Sequence, residues 1–180
     1  MNQITREDIS KRKGARAYPR TDNLPFAEQL VLWSFRYWVL GWRHQISVQG
    51  RLREAYARVH IPHAATWLAT LMDTLSGSLS RSVQIHCACD RRISADEQLI
   101  LDIFARCQVE TGADGRVDTL HALRNFIAPE KLHLVEPLFR RFAETLLEGR
   151  LRLSGTSHLS YAGLRAGSEA NVFPGSCTVH

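Results

Sequence analysis

Residues 86 to 89 read His-Cys-Ala-Cys, an imidazole and two thiols within four positions. Thiolate with imidazole suits zinc, copper(I) or an iron–sulfur cluster. A helix starting just downstream, at Ser94, would favour a thiolate near its amino terminus. His86, Cys87 and Cys89 are therefore the candidate metal ligands, with zinc or another thiophilic metal as the cofactor, and equally a candidate redox or reactive thiol site. The same stretch also reads as plain loop packing, because a structural zinc site usually presents two ligand pairs at spacings such as CxxC and no second pair follows. Cys107 falls two to three turns into the next helix, on its apolar stripe, where a small buried thiol is common. His60 and His63 straddle Ile61 and Pro62, which makes an extended or turn pair rather than two ligands on one helix face.

Catalytic templates are absent. The chain has no GxGxxG, GxxxxGK[ST], GxSxG or HExxH. Asp96 and Glu97 are adjacent carboxylates, but "SADE" from Ser94 to Glu97 is a capping box, which gives Glu97 a structural task. Glu130 and Glu136 punctuate helix starts or sit beside Pro137, and His121 and His133 are single histidines on helices. No acid–base constellation can be assembled from them. The chain leans away from catalysis.

With 180 residues, 44% of them hydrophobic and 23% charged, the chain fits one globular domain with a packed core. The first twenty residues have no apolar run followed by a small-residue cleavage site, so a cytoplasmic setting is expected. Cysteines there are thiols or ligands rather than disulfide partners. Net charge is +5, and residues 1–22 hold six basic against three acidic side chains. That arm reads as a basic, flexible, solvated tail, and such an arm could also touch an acidic partner, nucleic acid or lipid headgroups. Nucleic-acid binding is not expected, because the turn "ETGADGR" has only Arg116 and Arg124 as nearby cations. The domain plan is a basic arm at 1–22, a helical domain at 23–150 and a Gly/Ser-rich flexible tail at 151–180, with one short strand near Leu151 to Leu153.

Between the tails the pattern predicts an all-α, single-domain bundle of five or six helices. The first runs from Pro25 to about Trp42, with Phe26, Leu30, Trp33, Tyr37 and Leu40 at steps of four and three on one stripe that Ala27, Val31, Ser34 and Trp38 widen, so that more than half of its circumference is apolar and expected to face the core. A second covers about Val48 to Val59, with Leu52, Ala55 and Tyr56 inward and Arg51, Arg53 and Arg58 spread over its other sides. A third follows Pro62, burying Leu68, Leu71, Met72 and Leu75. A brief extended stretch is expected at Val83 to Ile85, then a capped helix from Ser94 to about Val109. "ETGADGR" is expected to stop that helix before a fifth at about Val117 to Ile127. A sixth begins after Ala128, and Pro137 inside it either kinks one long helix or divides two short ones.

Three of the four tryptophans, Trp33, Trp38 and Trp42, lie on the first helix and spread over more than one face. A helix in a small bundle rarely buries every side, and tryptophan is enriched at contact hot spots. This motivates a protein whose work is macromolecular contact, a small accessory or regulatory subunit with a protein partner or a second copy of itself. Phe35, Trp38 and Trp42 are the expected contact residues. Arg36 interrupts the apolar run, which is too short to cross a bilayer. Peripheral membrane contact stays open, although a lysine-rich polar face is missing.

Overall fold

The computed structural model describes residues 20–109, 113–154 and 176–179. The expected basic arm up to residue 19 and residues 155–175 of the expected tail lie outside the described residues. Among the described residues six α-helices carry the fold: α1 (Phe26–His44), α2 (Gln49–Ala57), α3 (Ala64–Ser76), α4 (Ala95–Val109), α5 (Ala113–Leu123) and α6 (Leu132–Glu148). A short strand β1 (Val83–His86) lies between α3 and α4. It pairs antiparallel with β2 (Ser176–Val179), Val83 opposite Val179 and His86 opposite Ser176. The architecture is the all-α bundle the periodicity predicts. None of the described helices is long and apolar enough to cross a membrane.

The core is a chain of rings. Phe104 of α4 stacks on Phe139 of α6 at 4.8 Å and meets Phe142 edge-on at 5.2 Å, while Phe35 of α1 approaches it at 5.7 Å. Tyr56 of α2 closes the row against Phe142. Offset and edge-to-face contacts of this kind add about 0.5–1.5 kcal/mol per pair to the burial itself. Leu68, Leu71, Met72 and Leu75 of α3 and Val135, Phe139, Phe142 and Leu146 of α6 are buried as their spacing requires.

Three helices end alike. After α1, Ile46 N donates to Gly41 O and Gln45 N to Trp42 O; after α2, Ile61 N donates to Tyr56 O and His60 N to Ala57 O; after α6, Leu151 N donates to Leu146 O and Arg150 N to Leu147 O. These paired bonds are the Schellman pattern, which needs a left-handed residue. Gln45, His60 and Arg150 supply it at φ of 55°, 65° and 59°. Gly149, the residue after α6, has a packing role. A Cβ there would sit 2.8 Å from Ile61 Cδ1, so the glycine lets α6 end against the turn that follows α2.

Two local expectations change, and of the alternatives left open at Pro137 the single long helix is the one found. α5 starts at Ala113, inside the stretch expected to be a turn. Pro137 neither divides α6 nor ends it, since it is exposed and lies early in one continuous helix. Leu151 to Leu153 is not a strand. Its backbone is held by the side-chain amide of Gln108, which donates to Leu151 O at 2.8 Å and accepts from Leu153 N at 2.8 Å. Ser154 N then donates to the buried Glu28 carboxylate of α1 at 2.6 Å, so the first residues after α6 are docked on the bundle.

Candidate functional site

The segment that follows β1, where the sequence concentrates its thiols, is organised by a residue outside it. Arg36 of α1 is buried, and its guanidinium meets the Glu97 carboxylate through Nε at 2.7 Å and Nη2 at 2.9 Å. The remaining N–H groups reach the carbonyls of Cys87, Asp90 and Arg92. All five donors of the fork are thereby used. Glu97 in turn accepts His86 N at 2.9 Å and Ser94 N at 2.8 Å, and Glu97 N accepts nothing but donates to Ser94 Oγ at 3.1 Å. The capping box therefore forms as its sequence requires, and its carboxylate also anchors an arginine 61 positions away. Asp96 completes the junction, accepting Gln84 N at 2.7 Å and pairing with Arg81 at 2.6 Å. Both outward amides of β1, those of Gln84 and His86, are thus closed by side chains from the first turn of α4.

This network gives the His86, Cys87 and Cys89 stretch a structural role and does not favour a metal. His86 Nδ1 donates to Arg92 O at 3.0 Å, with the Asp90 and Glu97 carboxylates at 4.0 and 3.7 Å. Cys87 is half-buried against the core, whereas Cys89 is exposed. Among the described residues no three His, Cys, Asp or Glu side chains converge to hold a metal ion. Cys107 is buried on α4, 4.0 Å from Thr119 Oγ1. Asp90 is the strongly perturbed carboxyl of the loop. The hydrogen bonds from the Arg92 guanidinium, with help from the Arg92 amide and the nearby His86, hold its pKa down to about 2.

The aromatic helix is turned differently from expectation. Phe35 and Trp38, expected at a contact surface, are enclosed by the chain itself at 2% and 7% exposure; Trp42 is accessible at 47%. The reason is Arg36. Its bonds to Glu97 fix the rotation of α1, and that rotation carries Val31, Phe35, Trp38 and Val39 inward together. Phe26, Leu30, Trp33 and Tyr37, the stripe expected inside, are left along the outer edge. Phe26 is 62% exposed, and Trp33 stacks on Tyr37 at 5.0 Å with nearly parallel rings.

These four residues form one wall of a groove of about 420 Å³. The other wall is α2, through Arg51, Glu54 and Ala55, with Arg58 and Val59 just beyond its end. Two helical stripes therefore face each other across open space, apolar on the α1 side and charged over an apolar base on the α2 side. The turn at Gly41 sets the divergence of the two helices. A Cβ there would meet Val48 Cγ1 at 2.5 Å, so only glycine lets Val48 lie on α1 and start α2 at this angle. Leu30, Trp33 and Tyr37 carry a signal in the sequence, since they are spaced as one stripe. Arg51 and Arg58 carry a weaker one, being seven positions apart on one side of α2.

Comparison of the chain with family models, with curated proteins and with solved structures finds no match. The groove is therefore read from its own chemistry.

Proposed function

We propose that this is a cytoplasmic accessory or regulatory protein that acts by contact with another protein, docked in the groove between α1 and α2. One observation carries the reading: the exposed Phe26 and the half-buried Trp33–Tyr37 stack line one side of a groove that the described part of the chain leaves open. Isolated exposed apolar side chains are ordinary, but a continuous aromatic strip rimmed by charge marks a contact site. Of the three contact residues expected from sequence, Trp42 stays in this proposal as a flanking contact. Phe35 and Trp38 support the helix from inside. The volume also lies in the range of small-molecule clefts, yet the groove is open along its length and has no buried polar group to orient a small ligand.

The test is site-specific photo-crosslinking in native extract from position 26, in the groove, and from Leu134, an exposed leucine of α6. The reading expects a defined protein crosslinked from residue 26, absent from residue 134, and lost in Trp33→Ala. A crosslink to a second copy of the chain would make the groove a self-association face. The same products from both positions, or products indifferent to Trp33→Ala, would defeat the docking reading.

A further inference from the structure

We propose that the groove takes an amphipathic helix of the partner protein, with acidic residues about two turns apart on the flank that faces α2; this rests on the docking reading above. The α1 wall sets the length. Phe26, Leu30, Trp33 and Tyr37 stand at i, i+4, i+7 and i+11, so at about 1.5 Å rise per residue the apolar ridge extends roughly 16 Å, matching about three turns of a docked helix. The α2 wall sets the charge. Arg51 and Arg58 are seven residues apart, roughly 10 Å along the axis, and both line the groove with Ala55 between them.

The rim has two guanidinium groups against one carboxylate. Among the described residues Arg51 has no ion pair. Arg58 is paired with Glu54 at 3.0 Å, but the two side chains are 78% and 57% exposed. A pair that open contributes little to stability, about 0–1 kcal/mol, so an incoming carboxylate can take over the guanidinium at small cost. An acidic flank therefore fits this wall and a basic one is repelled.

The geometry also selects a helix over other occupants. Both walls are helices whose backbone groups are bonded internally, so an extended peptide finds no strand edge to extend. A helix laying an i, i+3/i+4, i+7 face between two helices is the recognition mode such a surface supports. A lipid surface or nucleic acid would meet Glu54 in the middle of the cationic rim.

The experiment selects random peptides of about 16 residues, four turns or more, from a display library on the full chain. Parallel selections use Leu30→Arg, Phe26→Arg and the double variant Arg51→Glu/Arg58→Glu, each checked for unchanged helical signal and thermal midpoint. Phe26→Arg alters a largely exposed residue, so it reports on the groove even if Leu30→Arg unfolds. The inference expects peptides that lose most of their binding to the blocked variants, with apolar residues at i, i+3/i+4 and i+7 and carboxylates about seven apart. Their affinity falls about tenfold on the double reversal, and the reversed chain enriches lysine at the same places. Groove-dependent peptides without acidic bias, or indifferent to the reversal, overturn the inference and leave the docking reading standing. A full chain that yields no groove-dependent peptide overturns both. Binding to phosphatidylserine vesicles lost in the same variants would assign the groove to a lipid surface and overturn the inference too.

Discussion

Trp33 and Phe35 lie two residues apart on α1 and have opposite surroundings. Phe35 is sealed against Phe104, a residue far along the chain, and beside it Arg36 is bound to Glu97 and to three carbonyls of the loop that follows β1. Trp33 has for its main ring partner Tyr37, one turn away on the same helix. One face of α1 is held by distant parts of the chain and holds them in return. The other is only half-buried: Leu30, Trp33 and Tyr37 rest against the edge of the core and line the groove on their open side. A surface of that second kind can serve a partner, because its side chains are not fully enclosed by the rest of the chain.

The largest expected effect tests the first face. Arg36→Ala leaves Glu97 charged and buried with no cation, and leaves the carbonyls of Cys87, Asp90 and Arg92 without their donor. Breaking one side of a buried pair costs about 3–5 kcal/mol, a large share of the stability of a small domain. Urea unfolding of the variant should show a midpoint far below that of the parent. Removing both partners, as Arg36→Met with Glu97→Met, recovers only part of the loss, since the His86 and Ser94 amides still lose their acceptor. Full recovery would mean that the network adds nothing beyond the pair.

Next in size is the direct contrast. Phe35→Ala should destabilise by about 3–5 kcal/mol, as large-to-small changes of buried aromatics do, whereas Trp33→Ala should cost about 1 kcal/mol. Equal losses in the same denaturation series would erase the distinction between the faces, and with it the reason to place a contact site on α1.

This contrast is also where the sequence could be read and where it could not. The helix itself, the core stripes of α3 and α6, and the Ser94–Glu97 cap follow from neighbours within about one turn, and such signals survive in any single chain. Which side of α1 faces inward does not. Both the Phe26–Leu30–Trp33–Tyr37 stripe and the Val31–Phe35–Trp38 stripe have helical spacing and ample apolar area. The deciding interaction joins Arg36 to Glu97 across 61 positions, and an arginine within an apolar run reads locally as a solvent mark. The groove was half legible for the same reason: its aromatic wall is a visible stripe assigned to the wrong side, and its α2 wall appears only once two helices are placed together.

Gly41→Ala addresses the junction of the two faces. The added methyl would fall within 2.5 Å of Val48, so either Val48 leaves the core or α2 swings relative to α1. Overpacking of this kind costs about 1–3 kcal/mol. The sharper readout is the groove: a crosslink from position 26 should weaken even at temperatures where the variant stays folded. A variant with normal stability and an unchanged crosslink would show that the angle between α1 and α2 is set elsewhere.

The smallest effect separates the faces by pH. Asp90 sits in the loop that Arg36 organises, and its folded pKa is depressed to about 2 by the Arg92 guanidinium. A depressed carboxyl stabilises the folded state above its ordinary titration range, and that contribution is lost as pH falls through the folded value. Between pH 5 and about 2, amide exchange in residues 87–93 should therefore accelerate more steeply in the parent than in Asp90→Asn, which has no proton to gain there. The fluorescence of Trp33, which reports on the groove, should not follow that difference, because Asp90 is not among the residues that line it. If the indole signal tracked the Asp90 titration, the two faces of α1 would be coupled through the helix, and the groove could no longer be treated as a surface whose chemistry is independent of the fold that carries it.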